Sequence, residues 1–169
     1  MMNNTFYLRD ELGPKTVDFG AIEEDFFRIE SSWFVDKVNK LFESEKSKYL
    51  GHWEVLNTHL TSVEHDELEY QKNDTILSLD SGRLIKNRFS GFNEDFERIF
   101  EEHKELCVVD PRLRDTLQKE VAQVFLPLYR TFYDKYSQIR FSKKHQSEYT
   151  KYSPYKIEEM LDQLYVDAE

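Results

Sequence analysis

The chain has 169 residues, 39% of them hydrophobic and 33% charged, enough to bury the core of one domain and too few for two comfortable ones. Thirteen Phe and ten Tyr supply bulky core side chains that a disordered chain lacks, so disorder is excluded as the default. A net charge of −10 excludes the broadly basic face that nucleic-acid binding needs.

Met2 to Leu12 reads as a helix stopped by Gly13-Pro14. From Gly20 to about Ser47 a second helix is expected, with Ile22, Phe26, Ile29, Trp33, Val38, Leu41 and Phe42 on its core-facing side. Leu50, Trp53, Leu56, Leu60 and Val63 repeat that stripe, as a separate helix or as a bent continuation past Gly51. Glu64 to Ser81 is acidic and lacks a sustained period, so it reads as a loop. After Asp80-Ser81 a long helix follows, with Leu84, Ile85, Phe89, Phe92, Phe96, Ile99, Phe100 and Leu106 inward and Glu94, Glu97, Glu101 and Glu105 outward.

Asp110-Pro111 marks a restart, a capping side chain followed by a first-position proline. The helix it opens carries Leu113, Leu117, Val121, Val124, Leu128 and Phe132 inward, with Pro127 expected to bend it and leave the Gln123 carbonyl unpaired. Ser153-Pro154 repeats the cap-and-proline signal ahead of a short helix whose Ile157, Met160, Leu161 and Leu164 should dock on the body. No stretch shows strand alternation. The expected fold is all-α, one helical domain over residues 1–169, with long antiparallel helices packed as bundles.

Charge is unevenly spread. Residues 1 to 80 carry 17 acids against 8 bases, residues 81 to 138 carry 10 of each, and residues 139 to 157 carry 5 bases against Glu148 alone. That last segment is a basic loop, Arg140-Phe141-Ser142-Lys143-Lys144 through Lys151, fixed at one end of the molecule by the helix after it. Arg83, Lys86 and Arg88 form a second basic group on the helix that starts near Ser81, for which salt bridging to neighbouring helices is the plain expectation. Tyr149, Tyr152 and Tyr155 interleave the basic loop and read as packing side chains over the bundle end.

Catalytic and metal chemistry have no visible constellation. The five histidines are scattered, paired cysteines are absent, and the acidic runs lack the glycine and register of a calcium loop. Neither a phosphate-cradling glycine loop nor a nucleophile elbow occurs. Cys107, between Leu106 and Val108, reads as an apolar-set thiol in a reducing compartment. No apolar run reaches membrane-spanning length and no signal peptide is expected, so the chain reads as cytosolic and non-enzymatic, needing no cofactor.

Three stretches together carry a family likeness: Leu84 to Glu97, Asp110-Pro111-Arg112-Leu113-Arg114, and Tyr149-Thr150-Lys151-Tyr152-Ser153-Pro154 ahead of Ile157 to Leu164. In this order and spacing they resemble the C-terminal end of the 70-kDa subunit of the exocyst, and Met2-Asn3-Asn4-Thr5-Phe6-Tyr7-Leu8 resembles a segment further upstream in that family. The resemblance implies a rod of stacked helical bundles belonging to a complex that tethers secretory vesicles to the plasma membrane in exocytosis. It implies other exocyst subunits as partners, phosphatidylinositol 4,5-bisphosphate as a ligand of the C-terminal end, Rho-family GTPases as possible contacts, and a cytoplasmic location at the inner face of the plasma membrane. Of the two basic tail positions tied to lipid in that family, Lys151 fits the second and Glu148 occupies the first. The lipid-facing set expected here is therefore Arg140, Lys143, Lys144 and Lys151, with Arg83, Lys86 and Arg88 as a secondary patch. The alternative is a helical protein-binding adaptor that presents its acidic faces to other subunits or to a GTPase and binds no lipid.

Overall fold

The computed structural model describes residues 2–12, 24–61, 68–70 and 77–165. Among them are seven helices: α1 (Met2–Leu12), α2 (Glu24–Glu54), α3 (Asn57–Leu60), α4 (Leu79–Lys104), α5 (Pro111–Tyr136), α6 (Gln146–Tyr149) and α7 (Pro154–Leu161). The starts of α4, α5 and α7 are set by side-chain caps. Asp110 accepts the backbone N–H of Arg112 ahead of Pro111, and Ser153 accepts that of Lys156 ahead of Pro154, each satisfying a donor that the first turn leaves free. α4 begins three residues earlier than the sequence pattern placed it, at Leu79, with Ser78 as its cap, accepting the backbone N–H of Ser81.

α4 and α5 run antiparallel and meet through a ladder of rings. Phe89 packs on Phe132 at 4.9 Å, Phe92 stacks on Tyr129 at 4.2 Å, and Phe96 meets Phe125 at 6.1 Å between ring centroids. Such pairs contribute about 0.5–1.5 kcal/mol each beyond their burial. The C-terminal half of α2 closes the third side: Trp53, fully buried, stacks on Phe125 at 6.0 Å, and Tyr49 meets the His103 ring edge-on. Contacts of Lys46 with Glu120 and of Tyr49 with His103 make α2 parallel to α5 and antiparallel to α4.

α1 lies along α2, with Phe6 against Phe42 at 5.8 Å and the Arg9 guanidinium over the Phe42 ring. Asp10 reaches the first turn of α5, where Arg112 donates to it at 2.8 Å. α7 seats Ile157 and Leu161 on the body, and the chain beyond it buries Leu164 and Tyr165. α2 continues unbroken past Gly51, and α5 continues past Pro127.

Several side chains depart from the expected inward stripes. Trp33 is 64% exposed and Leu41 43%, whereas Val38 and Phe42 of the same helix are buried, Phe42 against Phe6 of α1. Leu128 is exposed while Phe125, Leu126 and Tyr129 are buried, a rotation of the α5 core face toward its aromatic residues. Leu106 and Cys107 are exposed because α4 ends at Lys104 and its helical period ends with it. Leu68 and Leu77 are buried and Tyr70 bridges Leu77, so the expected loop from Glu64 to Ser81 is tied to the core at those points. Ile22, Val63 and the Gly13-Pro14 stop lie outside the described residues, as do the side chains of Phe26 and Ile29.

Candidate functional site

The end of the bundle where α4 begins and α5 finishes gathers most of the basic residues that the sequence singled out, Arg83, Lys86, Arg140, Lys143 and Lys144. After α5 the chain turns through Ser137 to Phe141 and comes to lie against the first turn of α4. The contact there is close, since a side chain on Gly82 would meet the Phe141 carbonyl oxygen at 3.2 Å. Phe141 is itself buried, stacked on Phe89 at 5.4 Å, which pins the loop from its inner side. Gln146 pins the other side, donating from Nε2 to the carbonyls of Ser137 (2.8 Å) and Ile139 (3.1 Å).

This geometry sets Arg140, Lys143 and Lys144 next to the start of α4, all three exposed. It also brings Arg83 and Lys86 to the same end: Arg83 follows Gly82 directly, and the Lys86 ammonium stands 5.9 Å from the centre of the Tyr149 ring. Arg83 pairs with Asp80 at 3.6 Å, but both side chains are largely in water and the pair is screened. Lys135, exposed in the last turn of α5, adds a further cation that the sequence patterns did not single out. Its signal was the preference of helix C-termini for basic side chains.

Two of the expected residues are drawn elsewhere. Lys151 forms an ion pair with Glu97 on α4, two turns beyond Phe89, and that carboxylate raises the lysine pKa above its usual value. Arg88 donates to the Thr61 carbonyl and, at 2.8 Å, to the Thr61 hydroxyl, closing the C-terminal end of α3. Glu148, at a position the resemblance gives to a base, lies 2.8 Å from His145 Nδ1.

The tail is held in register by polar side chains that a hydrophobic-period reading passes over. Asn93, 5% exposed, donates to the Tyr149 carbonyl at 2.9 Å. Tyr129 donates to the Tyr152 carbonyl, and Gln118 donates to those of Asp162 (3.0 Å) and Leu164 (2.9 Å). Burial pushes the Tyr129 hydroxyl pKa far above its ordinary value, so it stays a neutral donor. Tyr149 and Tyr152 pack on Phe141 and Phe96 as expected of them, whereas Tyr155 is 68% exposed.

Elsewhere, an open groove of about 580 Å³ runs between α5 and α7, with Asp115, Gln118, Lys119, Tyr155 and Asp162 on its walls. Its lining holds no histidine, cysteine or serine. Among the described residues no three His, Cys, Asp or Glu side chains gather as a metal site, and no helix is long and apolar enough to cross a membrane.

The family model for the C-terminal region of the Exo70 exocyst complex subunit matches residues 1–163. The chain belongs to the Exo70 family. Among its Exo70 relatives, exocyst complex component 7 of Drosophila melanogaster is 35% identical over 85 residues, which is 50% of this chain and 12% of the relative. The exocyst complex protein EXO70 of Yarrowia lipolytica is 39% identical over 88 residues, 52% of this chain and 14% of the relative. EXO70A3 of Arabidopsis thaliana aligns over 94% of this chain and 30% of its own length at 26% identity. In a solved structure of exocyst subunit Exo70p, 78% of this chain superimposes on 23% of that one, with a TM-score of 0.60 and 27% identity. The chain therefore spans a minor part of the length of these Exo70 relatives, and the part matched is the family's C-terminal region.

Proposed function

We propose that this Exo70-family chain is a non-enzymatic segment of a vesicle-tethering subunit, whose cationic end binds anionic headgroups, phosphatidylinositol 4,5-bisphosphate in particular, at the inner face of the plasma membrane. The observation that carries the reading is the convergence of Arg83, Lys86, Arg140, Lys143 and Lys144 at one end of a molecule of net charge −10. With Lys135 counted, and set against Asp80 and Glu148, that end has a surplus of four positive charges. At about 1 kcal/mol per base near an anionic leaflet this supports about 4 kcal/mol, or millimolar affinity. A multivalent headgroup or other subunits binding alongside would raise it to stable attachment.

Lys151 contributes less than the sequence pattern assigns it, since its charge is already answered by Glu97. Co-sedimentation with phosphatidylcholine vesicles, with and without the phosphoinositide, tests the proposal. Binding that depends on the phosphoinositide and disappears when Arg140, Lys143 and Lys144 are changed to Glu is the expected result; equal binding by the triple variant would sink it.

A second reading has its own support. Trp33, Phe34 and Leu41 present exposed apolar side chains on α2, a surface suited to another helical subunit of the complex. The two readings use different parts of the molecule and are compatible. Changing Trp33 and Phe34 to Ser should weaken capture of partner subunits while leaving vesicle binding unaltered.

A further inference from the structure

We propose that Ser142 is a phosphoacceptor for a serine kinase that recognises basic sequences, and that its phosphorylation releases the cationic end from anionic membranes. The inference rests on the membrane reading above and adds the means by which it would be reversed.

Ser142 stands between Arg140, two residues before it, and Lys143-Lys144 directly after it. A kinase whose substrate groove is acidic selects that arrangement by charge. The backbone suits an active site as well: Ser142 to His145 lies outside helix, between the end of α5 and the start of α6. The loop is anchored by Phe141 and Gln146, so the stretch between them can be engaged without unpacking the core. Ser142 Oγ accepts a long bond from the His145 backbone N–H, 3.4 Å, and donates to nothing among the described residues.

The neighbouring hydroxyls are less suited. Thr150 donates to the Gln146 carbonyl, Ser153 caps α7, and Ser147 is followed by Glu148 rather than by a base.

The chemistry is phosphoryl transfer from ATP. Ser142 Oγ attacks the γ-phosphorus, its proton passes to the kinase's base, and the bond from that phosphorus to the ADP oxygen breaks, leaving phosphoserine and ADP. The product carries about −1.5 to −2 charges at neutral pH. Set among Arg140, Lys143 and Lys144, it cancels close to half of the surplus of four at this end. Each elementary charge near an anionic leaflet changes affinity about fivefold, so phosphorylation should weaken vesicle binding about ten- to thirtyfold.

The experiment uses the whole chain, treated with a basophilic serine kinase and ATP, then mapped by mass spectrometry. Treated and untreated protein are titrated against phosphatidylcholine vesicles containing phosphatidylserine and phosphatidylinositol 4,5-bisphosphate, alongside Ser142→Ala and Ser142→Asp. Expected are phosphate on Ser142, an affinity loss of about ten- to thirtyfold that shrinks in high salt, no response of Ser142→Ala to the kinase, and a loss of about fivefold in Ser142→Asp. Absence of phosphate from Ser142 in the folded chain overturns the proposal, as does phosphate on Ser142 with affinity unchanged; in the second case the membrane reading stands. Untreated protein that ignores these vesicles overturns the membrane reading and the switch together.

Discussion

At the residue scale the buried polar groups decide how the protein responds to pH. His103 is 5% exposed and donates from Nδ1 to the Ile99 carbonyl at 2.6 Å, which leaves Nε2 as an acceptor facing His52 Nδ1 at 3.3 Å. Burial lowers its pKa below the usual 6.5, against the pull of the Ile99 carbonyl; Tyr49 packs on the ring, and Glu102 and Arg98 act from a distance. The unfolded chain therefore takes up a proton that the folded one resists. The His103 contribution to stability is complete above pH 6.5 and is lost as pH falls from there toward the lowered value. Urea unfolding at a series of pH values should show this decline, and His103→Gln should be less stable at neutral pH but flatter as pH falls below 6.5. Asp95 acts in a lower window. Arg98 and then His59 hold its pKa below the usual 3.8, so its contribution is present above that value and fades only in stronger acid. Gly91 is a steric counterpart to these groups: a Cβ there would sit 2.6 Å from the His59 ring that pairs with Asp95. Gly91→Ala should cost about 1–3 kcal/mol, and an unchanged urea midpoint would show that the ring moves aside freely.

At the element scale the tail is the part on which the site depends. α7 has eight residues, too short to be helical alone, so it exists through Ile157, Leu161 and Leu164 on the body and through the amide clamps of Asn93 and Gln118. Leu161→Ala should cost about 2–5 kcal/mol, whereas Ser153→Ala, which removes only the cap, should cost about 1 kcal/mol. Hydrogen exchange should localise both effects to residues 140–165 before α4 and α5 respond; a uniform loss of protection would mean that the tail and bundle unfold as one unit. The caps and the apolar period of this element were legible in the sequence, because Ser-Pro followed by a three-and-four spacing has few other physical solutions. The existence of α4 and α5 as long helices in an all-helical fold was legible as well, as was the cap that starts α5. What was not legible followed from tertiary contact. Which face of α5 turns inward was decided by Phe125 and Tyr129 meeting Trp53 and Phe92, and nothing local says that Trp33 and Leu41 stay exposed while Val38 and Phe42 of the same helix are buried. The candidate site was legible as a basic run but not as a surface. Nothing local says that Lys151 meets Glu97, that Arg88 closes α3, or that Gly82 lets Phe141 bring two basic groups together.

At the scale of the whole molecule the charge distribution makes orientation the main consequence of binding. On the membrane reading proposed above, an anionic leaflet would attract the end holding Arg83, Lys86, Arg140, Lys143 and Lys144 and repel the rest of a chain of net charge −10, so contact would be favoured in an end-on pose. This attraction acts through water and is screened: the Debye length falls from about 10 Å at 0.1 M salt to about 3 Å at 1 M. Vesicle binding should therefore fall steeply across that range, and faster for the phosphoinositide than for a monovalent anionic lipid at equal surface charge, because clustered headgroup charges face clustered side chains. Position separates the cationic end from a mere excess of lysine. Lys151→Ala removes a full positive charge, yet that charge is paired with Glu97 on the flank of α4, so vesicle affinity should change by less than about twofold, while Lys144→Ala, with no carboxylate partner among the described residues, should lower it about fivefold. Equal losses from the two variants would mean that the membrane senses net charge alone, and the end-on pose would have to be given up.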